Sequence, residues 1–156
     1  MSGHRDEPTR RTAIDAPLSG VRVVDFSRVL AGPLATMILA DLGADVVKVE
    51  RPGTGDDTRR WGPPFVGEDA AYFLSLNRNK RSVVIDLSTA DGRHAARDLA
   101  IRADVVVENF RPGLMASFGL DYGSLAAIQP GLVYCSLVAF SDEGEGASRP
   151  GYDIIV

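Results

Sequence analysis

The sequence predicts an open α/β fold, a parallel sheet with helices on both flanks. Short runs rich in valine and isoleucine recur along the chain, most of them continuous rather than alternating, and segments with a helical apolar repeat separate them. Continuous apolar strands suit a sheet buried on both faces, which is how parallel strands joined by crossover helices are placed.

The first strand is expected over residues 21–26, turning through Val29-Leu30-Ala31-Gly32-Pro33 into a helix over residues 33–42. There Leu34, Met37, Ile38 and Leu42 fall on one face, Pro33 suits the first turn, and Gly43 supplies the stop. A second strand covers residues 45–50. Residues 51–69, rich in glycine, proline and aspartate around Trp61, read as a long loop, and loops of that length are functional or mobile. After the basic cluster Asn77-Arg78-Asn79-Lys80-Arg81 comes a strand over residues 81–87, then a helix over residues 89–103. Ser88 or Thr89 caps that helix, Asp91 sits in its positive first turn, and Ala95, Leu99 and Ala103 form its inward stripe. A strand over residues 104–110, a weaker helix over residues 122–128 and a strand over residues 132–140 follow. Residues 141–151 make a second polar loop, and residues 152–156 open a new apolar segment that does not finish. The repeated strand-helix-strand order is of Rossmann type.

The totals narrow the function classes. At 156 residues, 45% apolar and 24% charged, the chain fits one soluble domain with a real core. A net charge of -4 gives no general basic field for nucleic acid, and no apolar run is long enough to span a membrane. Residues 1–16 are polar and read as a disordered tail with no secretion signal. Cys135 is the only cysteine, so no internal disulfide forms; a reduced, cytoplasmic setting is expected, with Cys135 as inert core. There is no metal-spaced His and Cys cluster, P-loop or nucleophile elbow. His4 lies in the tail, and His94 lies on a surface helix as a satisfied or solvated side chain. The expectation is therefore no metal and no tightly bound cofactor.

In open α/β sheets ligands bind beyond the carboxyl ends of the strands. Past the first strand, the turn into a helix offers either a mild anion site or simply a tight connection; it lacks the glycine spacing of a dinucleotide fingerprint. Glu50 stands where dinucleotide enzymes keep a ribose-binding acid, but without that fingerprint it is weak support for NAD. Arg51 can grip a phosphate or stack on a base, or remain a surface arginine. The basic cluster, with Arg59 and Arg60, is either a phosphate patch or a solvated loop. Asn109-Phe110-Arg111-Pro112-Gly113 supplies an amide, an aromatic face, a cation and a turn, a set that suits an adenine ring and its phosphates. The residues alone stop at a nucleotide-like ligand on an α/β sheet.

Taken together, residues 17–25, Ala31-Gly32-Pro33, residues 42–50, Gly53-Thr54-Gly55-Asp56, residues 77–82, residues 103–113 and Gly151-Tyr152-Asp153 resemble the family III CoA-transferases, the CaiB/BaiF group. The likeness runs from Pro17 to the last residue. It implies a Rossmann-like CoA-binding domain, residues 17–156, forming the N-terminal half of that family's fold. It further implies acyl-CoA and carboxylic acid substrates, and an interlocked homodimer for the parent protein. The implied reaction is covalent catalysis by an aspartate, through an aspartyl-CoA thioester.

By the same resemblance Leu30 and Ala31 lie beside the reacting thioester, Arg51 contacts the nucleotide end of CoA, and Ile85, Asn109 and Phe110 line the CoA site. The catalytic aspartate is expected after Gly-Tyr-Asp, beyond this chain. Asp153 is therefore not the nucleophile, no catalytic residue is assigned here, and the chain alone is expected to be inactive. Departures from the family pattern occur at residues 137–141, at Ser88 and at Ser117. Tyr152, where racemases of 2-methylacyl-CoA carry a histidine base, favours transfer over racemisation, because a phenol is a poor base at neutral pH. A non-catalytic CoA-binding fragment is the reading from a different class.

Overall fold

The computed structural model describes residues 16–140. The expected tail (apart from Ala16), the expected loop over residues 141–151, Tyr152 and Asp153 lie outside the described residues.

The elements run β1 (Arg22–Asp25), α1 (Ala31–Asp41), β2 (Asp45–Glu50), a 3-10 turn (Asp57–Arg60), β3 (Phe65–Val66), β4 (Asp69–Ala70) and α2 (Ala71–Asn77). They continue with β5 (Lys80–Val84), α3 (Ala90–Ala100), β6 (Val105–Glu108), α4 (Leu114–Ser117), α5 (Tyr122–Ala126) and β7 (Val133–Ser136). The main sheet has the order β5-β2-β1-β6-β7 and every pairing in it is parallel. The chain thus works outward from β1 on one side, then returns to build outward on the other. Order reverses between β1 and β6, and at such a switch point the connections leave in opposite directions and open a crevice. The short β3–β4 hairpin stands apart from this sheet.

Alternation along the strands divides the core in two. Val24, Phe26, Val49, Ile85 and Val106 face one side and pack with Ala96 and Ala100 of α3, Met115 of α4 and Leu125 of α5. Val23, Val46 and Val107 face the other side and meet Ala40 and Ala44 at α1. This second cluster is smaller because the same face carries Asp25, Lys48 and Glu50, all buried, toward its carboxyl edge.

Several expectations shift. On α1 the buried residues are Gly32, Pro33, Thr36, Met37 and Ala40, while Leu34, Ile38 and Leu42 are exposed. Small side chains decide this, because they let the helix backbone approach the strand ends. A Cβ built on Gly32 would stand 2.2 Å from Ser27 Cβ. On α3 the inward stripe is Ala96, Ala100 and Ala103, with Leu99 only partly buried and Ala95 exposed. Thr89 is the N-cap, its side chain accepting from the Gly92 amide at 3.0 Å. β5 and β7 are the outer strands among the described residues, shorter than expected and largely exposed. Cys135 sits on β7 and is exposed rather than core, since an outer strand has one flank uncovered. Helix α2, not foreseen, buries Phe73 and Leu76. Among the described residues no helix is long and apolar enough to cross a membrane, and no group of three or more His, Cys, Asp or Glu could hold a metal.

Candidate functional site

Beyond Asp25 the chain turns through Ser27, Arg28, Val29 and Leu30 into α1, at the crevice between β1 and β6. The Asn109 side chain, just past β6, holds this turn from both sides: its Oδ1 accepts from the Arg28 amide at 2.8 Å and its Nδ2 donates to the Arg28 carbonyl at 2.8 Å. Val29 has φ of 70°, the left-handed region. That region costs a residue with a Cβ about 1–2 kcal/mol, and it persists only where neighbours over-determine it. The clamp on Arg28 and the close packing of Gly32 on Ser27 do so here. The α1 N-cap, Leu30, offers no side-chain hydrogen bond and the first turn has no acidic residue, so the Ala31 and Gly32 amides have no side-chain cap.

Under the turn lies a buried charge network. Asp25 Oδ1 accepts from the Ser27 amide at 2.9 Å and from the Ser27 hydroxyl, while its Oδ2 accepts from Thr36 Oγ1 at 2.7 Å and Lys80 Nζ at 3.0 Å. Lys80 completes its valence on the Pro33 carbonyl at 2.8 Å and Asn77 Oδ1 at 2.9 Å. Lys48 Nζ donates to the Ser27 carbonyl at 2.8 Å and lies 2.9 Å from Asp56 Oδ2. Both lysine side chains are 2% exposed and both aspartate side chains 0%. Charges so buried are tolerated because each is paired, and Lys80 uses its remaining donors as well; Asp56 Oδ2 meets the Lys48 charge without a well-aligned hydrogen bond. Burial, then the nearby Lys48 ammonium, hold Lys80 down at about 8, against the opposing pull of Asp25. Burial works against the Asp56 charge, yet Lys48 and the two donors of Thr58 keep that carboxyl below the usual range.

At the end of β2, Glu50 is fully engaged. It accepts from Arg59 Nε at 2.8 Å and Nη2 at 2.6 Å, Ser82 Oγ at 2.7 Å and the Asp56 amide at 2.8 Å. It is therefore scaffold and cannot also receive a ribose. Arg59 also pairs with Asp69 at 2.8 Å and stacks at 3.8 Å on the Phe73 ring. The other basic residues disperse as well. Arg78 holds Asp41, Arg81 holds Asp45 and Lys80 points inward, so the cluster presents no common phosphate patch.

Of the residues singled out from the sequence, Leu30, Ala31, Arg51, Asn109 and Phe110 sit at the carboxyl edge. Leu30 is half-buried and Ala31 is exposed at the start of α1. Arg51 donates from Nε to the Gly55 carbonyl at 3.1 Å and pairs with Asp57. Phe110 is half-buried at the end of β6 with the Arg28 guanidinium 4.7 Å above its ring. Ile85 is different. It follows β5 but is 7% exposed and packs in the core beneath the edge. Ser88 hydrogen-bonds Asp86, Ser117 bonds the Leu114 carbonyl, and His94 is exposed on α3.

Sequence reasoning gave Arg28, Asp25 and Lys48 no role of their own, and read Lys80 as part of a surface cluster rather than as the buried partner of Asp25. A lysine amid valines in β2 was the available signal, because a lone charge in a doubly covered strand must find a partner. Arg28, Lys48, Val49, Glu50, Arg51, Gly55 and Asp56 line a cleft too tight to admit even a water.

The family model for CoA-transferase family III matches residues 18–156. The chain is 52% identical to the succinate–glutarate CoA-transferase of Agrobacterium fabrum, over 97% of this chain and 38% of that protein. It is 51% identical to the succinyl-CoA:glutarate CoA-transferase of Mus musculus, over 89% of this chain and 32% of that protein. The crystal structure of a CaiB/BaiF family protein from Brucella suis superposes with a TM-score of 0.85 at 52% identity, covering 90% of this chain and 38% of that one. The chain thus spans about a third of the length of the relatives it matches.

Proposed function

The chain belongs to CoA-transferase family III, and on that premise we propose that it provides the CoA-binding part of an enzyme moving CoA between an acyl-CoA and a short dicarboxylic acid. The observation that carries this reading is the identity of about half with transferases whose names pair succinate with glutarate, along almost the whole of this chain. The convergence of Leu30, Ala31, Arg51, Asn109 and Phe110 on one sheet edge supports it.

On this reading CoA lies across the switch-point crevice. Arg51 meets its nucleotide end, Phe110 offers a face to the ring system, and Asn109 acts by holding the Arg28 backbone in place. Ile85 sets the floor of the site from the core. Leu30 and Ala31 flank the thioester, where the uncapped first-turn amides of α1 favour negative charge building on the carbonyl oxygen.

The covalent step belongs to an aspartate outside these residues. Its carboxylate attacks the donor thioester carbonyl and CoA thiolate leaves, giving a mixed anhydride. The thiolate then attacks the aspartyl carbonyl, releases the donor acid and forms the aspartyl-CoA thioester. The acceptor carboxylate repeats the sequence in reverse, so each C–S bond broken is matched by one formed. Two copies of the whole protein interlock in this reading.

Thermal-shift titration of the chain with CoA and with NAD tests the proposal. A guest that binds only the folded state adds about 2.7 kcal/mol at a hundred times its Kd. CoA should raise Tm and NAD should not; a shift with NAD alone overturns the reading. Arg51→Ala should weaken the CoA response in a folded protein, and an unchanged response refutes the placement of the nucleotide.

A further inference from the structure

Arg28 stands out from the other cations of the site. Its neighbours Lys48, Lys80, Arg51 and Arg59 each have a carboxylate within ion-pairing distance. Among the described residues Arg28 has none. Its contact is the Phe110 ring, 4.7 Å from the guanidinium carbon, and its backbone is pinned on both sides by Asn109. It lines the same cleft as Arg51, half-buried; the two carboxylates of that lining, Glu50 and Asp56, are engaged by Arg59 and Lys48, and Asp57 pairs with Arg51. Burial and the neighbouring Arg51 guanidinium both press its pKa downward, and Asp57 and Asp56 offset this only from a distance. A cation carried at that cost, on a fixed backbone and a stacked stem, is prepared for an anion that is not part of the chain.

We propose that Arg28 is an oxyanion-binding residue of the site, its guanidinium forking onto an external phosphoryl or carboxylate group at the β1–β6 crevice. The proposal rests on the reading of this edge as the CoA site and adds to it the group that meets Arg28. That group is a phosphoryl of CoA or the free carboxylate of a dicarboxylic acyl chain. Arg28 lines one cleft with Arg51, assigned to the nucleotide, and in the same turn is followed by Val29 and then Leu30, assigned to the thioester, so both ends of the guest are candidates to meet it. The Phe110 ring against one side of the guanidinium leaves its planar fork of N–H donors for the guest, which favours a two-point acceptor over a point charge.

Calorimetric titration of the full chain separates the outcomes, using CoA, pantetheine (which lacks phosphoryl groups) and S-succinylpantetheine as probes. Arg28→Gln should weaken one charged probe by roughly ten- to a hundredfold, as for a hydrogen bond to a charged group, and leave pantetheine unchanged. Loss on CoA alone assigns the phosphoryl; loss on S-succinylpantetheine alone assigns the carboxylate. Equal affinities of wild type and variant for both charged probes overturn the proposal while leaving the CoA site standing. If wild type binds neither CoA nor S-succinylpantetheine, the reading of the site fails and the proposal with it. Arg28→Lys keeps the charge and the stem, so it guards against a folding defect in the glutamine variant. It should still lose affinity for the same probe, because the fork is gone, and full affinity in that variant also overturns the two-point contact.

Discussion

Replacing Glu50 by glutamine tests the clamp at the end of β2 with almost no change of volume. Burial opposes the charge of this carboxyl, but the hydrogen bonds from Arg59, Ser82 and the Asp56 amide prevail and take its pKa from 4.5 to about 2. The side chain is only 2% exposed, so solvent screening takes little away. A folded pKa below the unfolded one stabilises the fold above the unfolded value, and that contribution fades as pH falls toward the folded value. The shift corresponds to about 3 kcal/mol at neutral pH, of which roughly 2 kcal/mol is gone by pH 3. Glu50→Gln retains one acceptor but turns an amide donor toward Arg59, so a loss of about 2–3 kcal/mol is expected at pH 7, or roughly 5–10 °C in Tm. Urea unfolding of both proteins at several values between pH 7 and pH 3 measures this. The gap between them should narrow as pH falls, because wild type then protonates the same group. A gap below about 0.5 kcal/mol at pH 7, or one that does not shrink with acid, refutes the reasoning.

Lys80 gives the opposite pH signature. Its folded pKa, about 8, lies below the unfolded value of 10.5, so the unfolded chain binds more protons between them and Lys80 adds stability as pH rises through that window. Lys80→Met should abolish this alkaline gain in urea midpoints measured from pH 7.5 to pH 10; parallel profiles for the two proteins would show that Lys80 does not titrate as described. Val29→Gly should be neutral or stabilising by up to about 1 kcal/mol, since glycine adopts positive φ without the Cβ penalty. A loss above 1 kcal/mol in denaturant unfolding would mean that the Val29 side chain, not its backbone, matters.

The fold class was readable because it rests on long-lived patterns. Valine-rich runs mark β1, β2 and β6, and the cap at Thr89 together with the apolar spacing marks α3. What misled was the choice of face. Leu34, Ile38 and Leu42 outrank Gly32, Thr36 and Ala40 in hydrophobicity, yet the smaller set faces the sheet because closeness of backbone, not apolar area alone, governs that contact. The outer strands misled for a related reason: apolar sequence does not say whether a neighbour exists on the far side, so Cys135 read as core and is exposed. Helix α2 is a seven-residue element, too short for its period to rise above the adjoining loop. In the site, the strand-end rule located Leu30, Arg51, Asn109 and Phe110 on one edge. It could not foresee which charges cancel. Glu50 with Arg59 and Lys48 with Asp56 are partners across turns, and only three-dimensional pairing reveals that Arg28, unlike Lys48, Lys80, Arg51 and Arg59, has no carboxylate partner among the described residues.

The long stretch after β2 looks in sequence like a candidate flap over the ligand. Its tethers argue otherwise: Asp56 is locked to Lys48 beneath the sheet edge, and Arg59 to Glu50. Lifting Arg51 as a lid would strand two buried charges at once, a far higher barrier than a hinge tolerates. Residues 51–60 therefore move with the sheet as one rigid jaw. A guest bound at this edge as proposed would meet Arg51 on backbone already held in place, and would not have to order it.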